Sequence, residues 1–181
     1  MRSPRVLNLL QWFDEPIEHV LVFEYVHPCE TLEHFIESNG GRLDERQARD
    51  LIFQAVLAAK DCLDQDVFHR TIVLKNILIN TTTLKIKLSD FSCGVLAVTD
   101  LDRYIAEISM VWFVGDVLYR MLYGRPPYLT AQGIVTRTLN FDSSLSGECC
   151  DFLSSCLNKN SARRASVPEL VTHTWFHGVQ V

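Results

Sequence analysis

The chain has 181 residues, of which 48% are hydrophobic and 22% are charged, with a formal net charge of −5. These values are ordinary for one globular domain and exclude an intrinsically disordered chain. The net negative charge gives no indication of nucleic-acid binding. The most apolar stretch, 110–122, is too short to span a membrane. We therefore expect a soluble domain of the cytoplasm or the nucleus, whose six cysteines are free thiols because none forms a C-x-x-C pair.

A β-hairpin is predicted near the start of the chain. Leu7–Phe13 and Val20–Tyr25 are rich in β-branched and aromatic residues, and Asp14–Pro16 supplies a turn between them. Thr31 is then placed to cap a short helix that runs through Ile36. The first part of the chain is thus one antiparallel hairpin followed by a helix.

A long amphipathic helix is the clearest element of the sequence. Asp44 is its predicted N-cap, and Gln47 stands where it would complete a capping box. Apolar residues then recur at helical spacing and form one stripe: Ala48, Leu51, Ile52, Ala55, Val56, Ala59 and Leu63. Short strand pieces are expected after this helix, at 67–68, 77–79 and 86–88.

The second half of the chain is predicted to be helical. The segment 104–123 is apolar nearly all round, which is typical of a helix buried in the centre of a domain, and Gly124 ends it. Ser146 opens a further helix, and Ser166 with Glu169 forms a capping box for another. The predicted fold class is α+β and mostly helical, with a small hairpin leading into a helical body.

Two short motifs among the strand pieces carry the chemistry. His69-Arg70-Thr71 is followed by Asn76, and Asp90-Phe91-Ser92 ends an apolar run. Their order and spacing resemble the catalytic loop and the metal-binding segment of a protein kinase.

The resemblance is closest to the PIM family of Ser/Thr kinases, and it extends from Val6 to Phe176. Val20–Glu24 is similar to the last small-lobe strand and the hinge, and Val111–Gly115 with Gly124–Tyr128 is similar to the central helix and its exit loop. It implies a partial protein-kinase-like domain over 1–181, which lacks the N-terminal small-lobe strands. Its parts would be a hairpin and hinge at 6–26 and a helical large lobe at 27–181.

The resemblance also implies where ATP and Mg²⁺ would bind. Backbone groups of Glu24 and Val26 would contact adenine, and Asn76 and Asp90 would hold the metal. The catalytic Asp of the family is replaced by Thr71, whose hydroxyl cannot accept a proton near neutral pH as a carboxylate can. No catalytic residue is therefore intact, and ATP and Mg²⁺ are expected to bind weakly or not at all.

Further departures affect substrate recognition and activation. Val73 replaces a Lys of the family, and Lys75 replaces an acidic residue that helps to select basic substrates. The segment between Asp90 and Trp112 is short and lacks the Ala-Pro-Glu motif, whose Glu pairs in the family with an Arg near the end of the domain. Arg164 stands at that place, and we expect it to find another carboxylate or to face solvent.

Each motif residue also has a structural interpretation. For His69 and Arg70 we favour this interpretation, since a His packs and an Arg bonds backbone groups, whereas Asn76 is explained equally by bracing of its loop and by metal binding. Asp90 is explained by turn formation, and Glu24 by an ordinary strand end.

The predicted function is that of a PIM-like kinase homologue, catalytically impaired, that acts as a pseudokinase by binding a protein partner. The hairpin would present an unpaired edge and an apolar face to that partner. Two alternatives remain: an active ATP-dependent protein Ser/Thr kinase with residual phosphotransfer, and a non-functional kinase fragment.

Overall fold

The computed structural model describes residues 3–179, and its architecture is α+β and mostly helical, as predicted. The outer ends of the predicted domain, residues 1–2 and 180–181, lie outside the described residues. The strands in this part of the chain are β1 (Leu9–Asp14), β2 (His19–Phe23), β3 (Cys29–Thr31), β4 (Val67–Phe68), β5 (Ile77–Asn80), β6 (Ile86–Leu88) and β7 (Val95–Leu96). The α-helices are α1 (Leu32–Ser38), α2 (Glu45–Leu63), α3 (Asp100–Tyr123), α4 (Ala131–Thr136), α5 (Gly147–Cys156) and α6 (Val167–Val171).

The predicted hairpin is confirmed as the antiparallel pair β1–β2. Trp12 lies opposite Leu21, and the turn is closed by the amide of Glu15, which donates to the carbonyl of Glu18 at 3.0 Å. Every residue of both strands is exposed, including Trp12 at 65% and Leu21 at 54%. Both faces of this apolar hairpin are therefore left uncovered by residues 3–179.

Helix α2 forms the centre of the helical body, and its predicted apolar stripe is buried throughout. Its N-cap is Asp44, whose side chain accepts from the amide of Gln47 at 2.8 Å. The reciprocal bond of a capping box is not formed, so that part of the prediction is wrong. Gln47 is exposed and lines a groove together with Phe35 and Leu84.

Two small sheets hold the motif-bearing loops. Strand β5 pairs with β3 on one side and with β6 on the other, and β4 pairs with β7. Val6 forms a bridge to Leu88, which attaches the start of the chain to the strand before the second motif. The predicted strand pieces at β4, β5 and β6 are confirmed, whereas β3 and β7 were not predicted from the sequence.

Helix α3 starts earlier than predicted and is buried only in part. Thr99 and Asp102 form a full capping box at its start, and Gly124 ends it with a left-handed φ of 65°. Met110 and Leu118, in its later turns, have no exposed surface, but Leu101 is 65% and Ile105 is 51% exposed. The expectation of burial throughout is therefore wrong for the first turns, which lie at the surface.

The C-terminal helices are tied to α2 through one carboxylate. Glu45 accepts from the amide of Ser146 at 2.8 Å, from its hydroxyl, and from Trp175 Nε1 at 2.9 Å. Burial opposes the charged form of Glu45, but these hydrogen bonds outweigh it and lower its pKa. Ser146 caps α5 as predicted, and the capping box of Ser166 and Glu169 on α6 is confirmed.

All six cysteines carry free thiols, which confirms that prediction. None of the helices within residues 3–179 combines the length and the apolar character that a membrane crossing needs. Helix α4 was not predicted from the sequence.

Candidate active site

The fold brings the two motifs into contact. His69 follows β4, and its Nε2 donates to the carbonyl of Ser89, immediately before Asp90, at 2.7 Å. The rings of His69 and Phe91 lie 4.4 Å apart between centroids. Burial lowers the pKa of His69, although the carbonyl of Ser89 and the charge of Asp90 act in the other direction. His69 is thus a neutral, buried link between the motifs, as its structural interpretation requires.

Thr71, which the resemblance places at the catalytic Asp position, is turned back onto its own loop. Its hydroxyl lies 3.2 Å from His69 Nδ1, and its amide donates to the same nitrogen at 3.3 Å. Since Nε2 of His69 carries the proton donated to Ser89, Nδ1 is the acceptor of these contacts. The loop therefore offers a hydroxyl that is already engaged, where the family has a carboxylate base.

Arg70 does not follow its structural interpretation. It has a left-handed φ of 63°, its side chain is exposed, and it makes no hydrogen bond or ion pair with other residues in 3–179. A guanidinium without a partner at this position is free to meet an anion.

Asn76 is linked through its backbone to the residue that precedes Asp90. Asn76 is buried in a short 3₁₀ turn, and its Nδ2 donates to the carbonyl of Thr71 at 3.1 Å. The backbone carbonyl of Asn76 accepts from the amide of Ser89 at 2.8 Å, which fixes the residue before Asp90. The bracing role of Asn76 is therefore real, and its Oδ1 accepts no hydrogen bond from residues 3–179, which leaves that oxygen free for a cation.

The Asp90 carboxylate is exposed. Asp90 has a left-handed φ of 60°, and its Oδ1 accepts from the amide of Ser92 at 3.2 Å. Hydrogen bonding with Ser92 lowers the pKa of Asp90, so the carboxylate is ionised at neutral pH. An amide oxygen and a carboxylate are oxygen ligands of the type that Mg²⁺ takes.

The residues predicted to form a hinge lie at a separate cavity of about 260 Å³, lined by Leu7, Glu24, Tyr25, Val26, His27, Cys29 and Leu78. The side chain of Glu24 accepts from Asn8 and forms an ion pair with Lys87 at 2.9 Å. Burial disfavours the charge of Glu24, but the bonds from Lys87 and Asn8 prevail and lower its pKa. The Glu24 carbonyl and the Val26 amide have no partner within residues 3–179. Asn76 and Asp90 are not among the walls of this cavity.

The ion pair between Glu24 and Lys87 was missed from the sequence. The two residues are 63 positions apart and meet because Leu7 bonds to Leu88 while Asn8 bonds to Glu24. Opposite charges at that separation give no local pattern that could have revealed the pair.

Arg164 overturns its prediction, because it pairs with no carboxylate and is half-buried. Its guanidinium donates to the carbonyl of Ile108 at 2.7 Å and twice to that of Asn158. It also lies 4.8 Å from the ring centre of Trp112. Backbone carbonyls and an aromatic face thus take the place of a carboxylate partner for Arg164.

The comparison with known proteins agrees with this geometry. The family model described as "Protein kinase domain" matches residues 1–103, more than half of the chain. The chain therefore belongs to the protein kinase family, as the motifs predicted.

The chain is 31% identical to serine/threonine-protein kinase pim-2 of Danio rerio over 94% of its own length and 61% of the relative's. It is 29% identical to serine/threonine-protein kinase prk-2 of Caenorhabditis elegans, over 94% of the chain and 43% of the relative. Serine/threonine-protein kinase ppk25 of Schizosaccharomyces pombe is 26% identical, over 97% of the chain and 47% of the relative. The similarity to PIM-type kinases is confirmed, and the chain spans about half the length of these relatives.

Proposed function

We propose that this chain is a kinase relative without phosphotransfer activity, which acts by binding a protein partner. The observation that carries the proposal is the state of Thr71, whose hydroxyl is directed at His69 and provides no base for a substrate hydroxyl. General base catalysis contributes about 10²- to 10⁴-fold to such reactions. Val73 and Lys75 remove two further groups that the family uses for phosphate and substrate.

Nucleotide binding without turnover fits the remaining groups. The Glu24 carbonyl and the Val26 amide would receive an adenine, and Asn76 Oδ1 with the Asp90 carboxylate would hold Mg²⁺. When bound, Mg²⁺ supplies charge neutralisation for the phosphates. The chain's own residues contribute one carboxylate and one amide to the metal, and we therefore propose weak binding.

The alternative is a protein Ser/Thr kinase with residual activity. It is favoured by the same open groups, since the hinge atoms and the Asn76–Asp90 pair are unblocked in residues 3–179. Under this alternative, the γ-phosphate would be transferred from ATP to the substrate hydroxyl without the help of a catalytic carboxylate. We expect a rate lower by many decades than that of a complete kinase.

A thermal melt with and without Mg-ATP tests the nucleotide site. A ligand at a hundred times its Kd stabilises the folded state by about 2.7 kcal/mol, which gives a measurable rise in Tm. The variant Asp90→Asn removes the charge and keeps a residue that tolerates the left-handed backbone, so any rise should disappear. Asp100→Asn, on the exposed start of α3, is the matched control. A broad, non-cooperative melt of the unliganded chain would instead support a non-functional fragment.

A phosphotransfer assay distinguishes the non-catalytic kinase relative from a kinase with residual activity. The purified chain is incubated with γ-labelled ATP, Mg²⁺ and a basic protein substrate. We expect no incorporation of label above that of Asp90→Asn. Label that is incorporated by the chain and lost in Asp90→Asn would refute the non-catalytic proposal and establish residual kinase activity.

We propose that the partner binds the exposed hairpin, which belongs with the hinge to 6–26 and precedes a large lobe at 27–181. A photo-crosslinking residue at Trp12 should form covalent adducts with the partner in cells, since Trp12 is at the centre of the uncovered apolar surface. The same residue placed at Gln132 on α4 is the control, because that position is exposed and distant in sequence. Equal labelling at both positions would contradict the assignment of the hairpin.

A further inference from the structure

A second cleft lies beside the short link from β7 to α3. It has a volume of about 570 Å³, and its apolar walls come from Val95, Leu96, Ile105, Ala106 and Phe113, with Arg70 among the lining residues. Only residues 97–99 separate β7 from α3, and the first turns of α3 form one wall. The cleft is distinct from the hinge cavity and shares no lining residue with it.

Two charged residues line this cleft, and only one of them has its charge offset by neighbouring groups. The Asp102 carboxylate accepts from both the amide and the hydroxyl of Thr99, and it lies in the first turn of α3, where the helix dipole offsets negative charge. Arg70 has no such compensation, because none of the residues in 3–179 pairs with its guanidinium. An apolar cleft with one uncompensated cation is complementary to a ligand with an apolar body and one negative charge.

We propose that this cleft binds a small amphipathic carboxylic acid. The carboxylate pairs with the guanidinium of Arg70, which presents a fork of donors matched to that group. The hydrocarbon body lies between β7 and α3, against Leu96 and Ile105. The volume is within the range of about 300–1,000 Å³ typical of small-molecule sites and is too small for a folded partner.

A carboxylate fits better than a phosphate monoester. A phosphate carries a charge of about −1.5 to −2 at pH 7, whereas the cleft offers one guanidinium and also contains the carboxylate of Asp102. The second negative charge would therefore be left without a partner and would face a like charge. This site is independent of the proposed function, since it uses neither the hinge nor the β1–β2 hairpin.

Calorimetric titration of the full chain with octanoate tests the site. We expect saturable binding of one octanoate per chain, weakened about tenfold or more in Arg70→Gln, since a hydrogen-bonded charge is lost. Gln keeps a flexible side chain at the left-handed position, and a melt confirms that the variant folds. Arg163→Gln removes an equally exposed arginine outside the cleft and should leave the affinity unchanged.

The apolar wall is tested in the same way. Ile105→Glu places a negative charge in the cleft and should abolish octanoate binding, whereas Leu101→Glu, on the same helix but outside the cleft, should not. Octanol, which lacks the charge, should bind no more weakly to Arg70→Gln than to the unmodified chain. Octanoate binding that is equal in the chain and in Arg70→Gln, or octyl phosphate binding that is tighter than octanoate binding, would overturn the proposal.

Discussion

Substitution of Glu45 by Gln should destabilise the fold by about 2–3 kcal/mol at pH 7. The two oxygens of Glu45 receive three donors, two from Ser146 and one from Trp175. A Gln side chain has one oxygen and one NH₂ group, so at least one of these donors faces another donor. The loss of a charge-assisted bond costs about 1.5–3 kcal/mol, and an unsatisfied donor adds up to a similar amount when it is buried. Partial exposure of the site keeps the total near the lower end of this sum.

The effect should depend on pH with a defined sign. The pKa of Glu45 is lowered from its ordinary value of 4.5, because the folded state favours the carboxylate. Its stabilising contribution is therefore complete above pH 4.5 and is lost as the pH falls through the lowered folded-state pKa. Once protonated, Glu45 resembles Gln, so the difference between the chain and Glu45→Gln should shrink as the solution is acidified.

Urea unfolding followed by far-UV circular dichroism at pH 7 and at about pH 3.5 measures both quantities. Comparison of the chain with the variant at each pH cancels the titration of the other carboxyl groups. Glu148→Gln, in the exposed first turn of α5, is the matched control and should change the free energy of unfolding by less than about 1 kcal/mol. A difference for Glu45→Gln that is the same at both pH values would refute the proposed role of the carboxylate.

Three other predictions concern the packing of the helical body. Gly115→Ala should lower the free energy of unfolding in urea by up to about 2 kcal/mol, because a Cβ atom there would lie 2.6 Å from the Cβ of Cys156 and overpacking outweighs the gain in helix propensity; increased stability would contradict this. Arg164→Ala should lower the free energy of unfolding by about 2–4 kcal/mol in the same assay, because three hydrogen bonds and the aromatic contact are lost. A change below about 0.5 kcal/mol, as at an ordinary surface site, would contradict this prediction. With a thiol reagent at pH 8, the exposed Cys93 should react first. Cys62 should react only after unfolding, because burial raises its pKa to about 12. Mass spectrometry of the labelled peptides measures the order of reaction.

Local patterns in the sequence were sufficient for most of the scaffold. Thr31, Asp44, Ser146 and Ser166 were each predicted as helix caps, and each accepts the expected backbone hydrogen bond. Such caps act within three residues, so the sequence alone contains the information. The buried stripe of α2 was predicted for the same reason, since helical periodicity is a local property.

The features that sequence did not reveal depend on distant contacts. Leu101 and Ile105 have the composition of a buried helix, but no element within residues 3–179 covers them, and composition does not show what lies opposite a surface. Arg164 was expected to find another carboxylate or to face solvent, but it donates to backbone carbonyls instead. In the candidate site, Asn76 and Asp90 were identified by spacing, and the orientation of the Thr71 hydroxyl became visible only in three dimensions.

The direct passage from β7 into α3 has a consequence for regulation. Many enzymes are switched on when a loop beside the catalytic residues changes from disorder to order. Here the corresponding stretch is helical from Asp100, its start is fastened by Thr99, and Arg103 is tied to the carboxylate of Asp66 and to the carbonyl of Leu63 at 3.2 Å. A change of state would require unwinding of these turns and rupture of both attachments. We therefore expect this region to stay helical and not to change between a disordered and an ordered state.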